Sequence, residues 1–279
     1  KSPDGRLALL LTAGERLSFT VARDGETLVA PSEMALTLST GEVLGEAPRV
    51  RSARRRAVSE TIDAPLYRQS RFDAAYNELD LRLRGDYGIL ARAYDDGVCY
   101  RFYTERDGEL TIVDETAQLN FEGDPSAYIP YSKTEIPMQT SFENTYEYAP
   151  LSKFRTQTVA FMPVLVDLGE RGYVLYTESD VESYPGVYLT YDKEARGFAA
   201  RFAEYPTETS LTKRFQDVVE RSADYIARVD GRRSYPWRIV AYAATATELP
   251  VNDMVWQTAE ASRVADASWV RDGKIAWDW

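Results

Sequence analysis

The sequence contains no histidine, and that absence narrows its chemistry more than any residue it does contain. An imidazole general base, a Ser-His-Asp triad and a His-ligated zinc or iron are all excluded. Cysteine is nearly as scarce: Cys99 stands alone, so no internal disulfide can form. Its place in a predicted strand marks it as a small buried apolar side chain rather than a nucleophile, which would need an electropositive, exposed setting. No run of eighteen apolar residues occurs, so no helix is expected to span a membrane. Basic residues are outnumbered, 33 against 44 acidic, for a net charge of −11. That balance argues against a nucleic-acid backbone or an anionic membrane as partner, and speaks to solubility.

What is present is a dense β pattern. Residues 89–103 carry two runs of β-formers around Asp95-Asp96-Gly97, and Asp-Gly is a strong hairpin signal because glycine takes positive φ without steric cost. In the second run Val98, Tyr100 and Phe102 alternate with Cys99, Arg101 and Tyr103. Both faces carry bulk, which predicts a strand covered on both sides. Further Asp-Gly pairs begin at Asp4, Asp24 and Asp107 and set the rhythm of an all-β fold. Asp24-Gly25 predicts a hairpin into a strand that Pro31 closes, and Asp107-Gly108 predicts a turn that ends the central strand near Arg106. Leu79, Leu81 and Leu83 alternate with Asp80, Arg82 and Arg84, as in a half-buried strand. Residues 49–56 include five arginines, the composition of an edge strand guarded by charge, with an anion site as the sharper alternative.

Between residues 120 and 161 the alternation fades into a stretch rich in aromatics and proline: Tyr128, Pro130, Tyr131, Pro137, Phe142, Tyr146, Tyr148 and Pro150. A long irregular segment in a compact domain is more often a functional or covering loop than a linker. The aromatics either pin it to the sheet or offer faces for sugars to stack on. Thr177-Glu178-Ser179-Asp180-Val181-Glu182 then crowds three carboxylates at a strand end. Hard oxygens suit calcium, although that ion takes six to eight ligands and the spacing of a calcium loop is missing, which favours a solvated acidic turn. Residues 210–227 are ambiguous between strand and helix, and residues 249–261 predict one short helix. Trp269, Trp277 and Trp279 crowd the tail, which therefore either packs on the domain or is a severed strand.

Five motifs, in this order and spacing, resemble the amino-terminal domain of glycoside hydrolase family 97. They are Ser2-Pro3-Asp4-Gly5, the stretch from Arg92 to Phe102, Tyr235-Pro236-Trp237-Arg238, Asn252-Asp253-Met254-Val255, and the tail ending Trp277-Asp278-Trp279. Cys99 stands where that family more often has alanine, and Asp272 where it often has proline. The resemblance implies an all-β fold, a large antiparallel β-super-sandwich of the galactose mutarotase type, with at most short helices. It implies that residues 1–262 form this domain and that residues 263–279 are a linker and the start of a truncated catalytic (β/α)8 barrel, whose first strand begins near Lys274.

The activity so implied, on α-glucosides or α-galactosides, belongs to the barrel, and no catalytic residue carries over onto this chain. One position does: Glu178 matches the strand-end glutamate that ligates calcium in the intact enzyme, whereas the isolated chain is expected to hold none. The barrel of the same polypeptide and an α-linked oligosaccharide are the implied partners, and the periplasm or cell surface the implied location. An autonomous carbohydrate-binding module is the alternative. A free-standing sugar mutarotase ranks last, because that enzyme class relies on a histidine acid.

Overall fold

The computed structural model describes residues 1–64, 67–132, 144–211, 217–271 and 273. The first strands form two meanders: β1 (Leu7–Ala13), β2 (Leu17–Arg23), β3 (Glu26–Leu38) and β4 (Val43–Leu44), then β5 (Val50–Asp63), β6 (Arg71–Leu83) and β7 (Tyr87–Tyr94). A 24-residue strand follows, β8 (Gly97–Asn120), and then the short β9 (Ser126–Ile129), β10 (Glu147–Pro150), β11 (Val164–Asp167) and β12 (Tyr173–Ser179). The last six are β13 (Tyr188–Asp192), β14 (Gly197–Arg201), β15 (Pro206–Leu211), β16 (Asp217–Ser222), β17 (Ala227–Ser234) and β18 (Trp237–Ala243). Among the described residues one short α-helix, α1 (Met254–Thr258), and a few 3-10 turns complete the chain. All the strand pairings are antiparallel, so the fold is all-β as expected.

β8 joins two layers. Its first half, Gly97 to Thr104, pairs with β7 on one side, and Gly97 to Tyr100 pair with β18 on the other, in a sheet that runs β5-β6-β7-β8-β18-β12-β11-β9-β10. Its second half pairs with β3 and, at residues 118–120, with β14, in a layer that also holds β1, β2 and β13. Asp107-Gly108 does not end the strand as expected. The chain passes through in a bulge, with Gly108 at φ +79° and β17 slipping register between Asp230 and Arg232 opposite it. An extra residue bends a strand without terminating its pairing, which lets one strand serve two layers. Pro31 likewise does not close its strand: β3 continues to Leu38 and carries the proline, which has no N–H to donate, where the registers with β2 and β8 both shift.

The main core lies between the layers, where Phe19 of β2 meets Tyr100 of β8 at a ring separation of 5.0 Å. Val98, Tyr100 and Phe102 face it. Cys99 faces the opposite side with Tyr76, Tyr94, Trp237 and Ile239, under Met254 of α1. Both faces of the central hairpin are therefore covered, as its bulk predicted. Among the described residues β5 pairs only with β6, as an edge strand, and its arginines point largely into solvent. Of residues 210–227, the stretches 210–211 and 217–222 are strand: they belong to β15 and β16, which form a separate exposed ribbon, while residues 212–216 lie outside the described residues.

Candidate functional site

Glu178 sits on β12 directly opposite Arg238 of β18, so the two side chains share the inner face of the sheet. Arg238 Nη1 donates to Glu178 Oε2 at 2.5 Å, and the backbone N–H of Val187 donates to Oε1 at 3.0 Å. Gly186 keeps the approach open: a Cβ there would stand 3.2 Å from Oε1. The rest of the Arg238 guanidinium is held from the facing layer, where Nε and Nη2 donate to the two oxygens of Glu115 at 2.8 and 2.7 Å. The fork is bidentate and almost fully enclosed, with side-chain exposures of 1% for Arg238, 4% for Glu115 and 13% for Glu178.

Tyr100, Tyr176, Tyr184 and Tyr235 surround this triad inside the sandwich. Burial pushes the Glu178 carboxyl up, while Arg238 and the Val187 N–H pull it back toward ionisation. For Arg238 burial acts against the charge, but Glu115 and Glu178 outweigh it and hold the guanidinium well above its ordinary value. The surrounding tyrosine hydroxyls are all raised, chiefly by burial.

The three carboxylates that crowd the sequence do not converge. Glu178 points inward to Arg238; Asp180 accepts from Arg101 at 3.3 Å and from the Glu260 N–H at 2.8 Å; Glu182 accepts from Arg263 at 2.6 Å. Each is matched to its own arginine. Among the described residues no group of three or more His, Cys, Asp or Glu side chains is arranged to hold a metal ion. Glu178 accepts two hydrogen bonds and keeps further lone pairs on its carboxylate oxygens.

Glu115 escaped the sequence reading. The register between β3 and β8 slips between Thr37 and Leu38, which shifts the alternation so that Ile112, Glu115, Ala117 and Leu119 face inward while Asp114 turns out. Arg238, a lone charge in an otherwise apolar strand, was the available signal.

In the aromatic stretch, Tyr131 packs on Phe154 at 5.0 Å and is buried. Tyr128 and Tyr148 form a ring pair at 4.6 Å that stays 39% and 54% exposed, with the Tyr148 hydroxyl donating to Asp167. The segment therefore both pins and presents aromatics. Pro137 and Phe142 lie outside the described residues, as do Lys274, Trp277 and Trp279.

On the opposite, outer face of the sheet, the guanidinium carbons of Arg92 and Arg101 lie 4.7 and 4.4 Å from the ring of Trp237. Arg92 also donates to Glu78, which is buried and shared with Arg56. Burial lowers the Arg101 pKa, and neighbouring Arg92 adds to the effect.

Comparison with known proteins gives this scaffold relatives. The family described as "Glycosyl-hydrolase 97 N-terminal" matches residues 1–260. A retaining α-galactosidase of Bacteroides thetaiotaomicron is 37% identical over the whole chain, and a probable retaining α-galactosidase of Streptomyces bingchenggensis is 30% identical over 99% of it. The chain spans only 43% and 39% of those two proteins. Among solved structures, a glycoside hydrolase family 97 enzyme in complex with acarbose, from a Pseudoalteromonas species, superposes with a TM-score of 0.81 at 15% identity, over 97% of this chain and 39% of its own. A β-arabinopyranosidase superposes at 0.72 with 19% identity, over 88% of this chain and 40% of its own, and both show the shared fold. With the family matched over nearly its full length, the chain belongs to the amino-terminal domain family of glycoside hydrolase family 97.

Proposed function

We propose that this chain is the non-catalytic amino-terminal domain of an α-glycosidase acting on α-galactosides or α-glucosides, that it walls one side of the active site of a (β/α)8 barrel, and that it lends Glu178 to a calcium ion there. The observation that carries the reading is the alignment: the chain is covered end to end by a relative named as a retaining α-galactosidase, yet spans 43% of it. The two carboxylates that glycoside hydrolysis requires are therefore sought in the remainder of the polypeptide.

The geometry around Glu178 supports a single-ligand role. A carboxylate that ligates a metal is itself commonly oriented by hydrogen bonds, and Arg238 and the Val187 N–H would do this for Glu178. When bound, calcium supplies a hard positive charge near the reacting sugar. Burial raises the Glu178 pKa and Arg238 works against that rise, while the carboxylate keeps a side-chain exposure of 13%. By the same resemblance, the periplasm or cell surface is the proposed location.

The test is the whole protein carrying Glu178→Gln, assayed for calcium affinity and for turnover of nitrophenyl α-galactoside and α-glucoside. We expect calcium binding to weaken at least tenfold, with turnover falling in parallel at limiting calcium. Unchanged calcium affinity removes Glu178 from the shell, and no turnover of either substrate by the unsubstituted protein removes the activity. The second reading, a carbohydrate-binding module, draws on the solvent-open ring pair of Tyr128 and Tyr148. It predicts sugar binding by this chain that Tyr148→Ala abolishes.

A further inference from the structure

The outer face of the sheet holds a cavity of about 590 Å³ that the reading above does not use. Its volume falls within the roughly 300–1,000 Å³ typical of small-molecule sites. Three separate stretches close it: the end of β5, the sheet itself, and α1 with the residues after it. Arg92 and Arg101 form the floor, lying on the Trp237 ring. Trp256 forms a wall and is itself propped by Tyr67, to which it stacks at 4.4 Å and 27°. Glu60, Asp63 and Glu260 bring carboxylates to the lining.

Two of the lining residues have polar atoms with unspent hydrogen-bonding capacity. Arg101 Nε is buried and has no partner among the described residues, while its nitrogens Nη1 and Nη2 reach Asp180 at 3.3 Å and Glu260 at 3.8 Å. Gln257 Oε1 is also buried and without a partner among the described residues. A buried polar group left unpaired costs about 1–3 kcal/mol; both atoms are closed to solvent in this structure, so a ligand in the cavity satisfies them as the two lining side chains turn toward it. One is a donor and the other an acceptor. A simple anion would meet Arg101 but could not donate to Gln257 and would face three carboxylates; a cation would meet the arginines. A neutral polyhydroxyl compound accepts from the floor, donates to Gln257 and the carboxylates, and lays its C–H face on Trp256.

We propose that this cavity, lined by Arg92, Arg101, Trp256 and Gln257, is a binding site for a neutral mono- or disaccharide, on the face of the sheet opposite Glu178. The choice of sugar probes rests on the α-glycosidase reading; the polyol chemistry does not.

The test is saturation-transfer NMR and tryptophan fluorescence on the 279-residue chain with galactose, maltose and melibiose, and with acetate as an anion control. We expect saturable binding of at least one sugar in the millimolar range, weakened more than tenfold by Gln257→Leu and abolished by Ala259→Trp, which places bulk in the cavity from an exposed position. Circular dichroism checks that both variants are folded. The proposal is overturned if no sugar binds, if binding survives both folded variants, if Tyr148→Ala rather than Ala259→Trp removes it, or if acetate displaces the sugar at equal concentration. None of these outcomes touches the turnover of the whole protein, so failure here and failure of the glycosidase reading remain separable.

Discussion

The two faces of one sheet use arginine in opposite ways. Inside the sandwich, Arg238 is saturated: three of its nitrogens donate to two carboxylates, one from each layer, in a space almost closed to water. Outside, Arg92 and Arg101 lie on Trp237, with Arg92 also over Tyr76 at 4.5 Å, and Arg101 Nε has no partner among the described residues. The inner arrangement is a tie between layers that fixes a carboxylate. The outer one is a platform with capacity to spare. A buried charge must have all its partners supplied by the fold, because desolvation is not recovered otherwise. A charge stacked on an aromatic ring at a cavity floor retains some freedom to bind.

The sharpest way to break the comparison is Arg238→Met. It leaves Glu115 and Glu178 buried without their cation and is expected to cost about 3–5 kcal/mol, read by urea denaturation. Replacing Glu115, Glu178 and Arg238 together with apolar residues of similar volume is expected to recover most of that loss. If the single change costs less than about 1 kcal/mol, the tie is not structural.

Alkaline titration probes the outer face next. Burial pushes the Cys99 thiol up from 9.0 to about 12 and the Tyr76 hydroxyl from 10.0 to about 12. Well below pH 9 both groups are protonated whether the chain is folded or not, and their contribution is fully present. As pH rises toward 12 the unfolded chain ionises first, so stability falls across that window. Cys99→Ala is expected to make the decline between pH 9 and 12 shallower in thermal melts, and an unchanged slope would show that the thiol does not carry it.

Gly97→Ala tests how closely α1 is seated. The added methyl would collide with Met254 Sδ and come within 2.9 Å of Ala241 Cα and Val240 O, for a cost of about 1–3 kcal/mol. The smallest effect is expected at the edge: Arg54→Glu on β5 changes an exposed side chain and should move stability by no more than about 0.5 kcal/mol. Its consequence, if edge protection holds, is altered aggregation rather than a shifted melting temperature.

The strands of the meanders and the hairpin at Asp95-Asp96-Gly97 were legible because alternation and turn chemistry are local. The two features misread, Pro31 and Asp107-Gly108, have the composition of turns and act as bulges. Local sequence favours a change of direction at both places, while long-range pairing with β2, β8 and β17 keeps the strands running through them. Glu178 was singled out from resemblance and from its acidic neighbours, yet those neighbours turned to separate arginines, because β12 ends at Ser179 and the chain turns at Asp180, with φ +55°, so the period-two pattern that would put all three on one face stops there.

The sequence by itself determined an all-β chain without imidazole or disulfide chemistry, its edge strand and its family, since composition, period and motif order are properties of the chain. Tertiary structure decided which charges meet. Glu115 and Arg238 are 123 residues apart, and only the slipped register of β8 and the facing of two layers bring them within 2.8 Å. The outer cavity likewise exists only because β5, the sheet and α1 close around one volume. Such partnerships depend on register and layer packing, which no local pattern encodes.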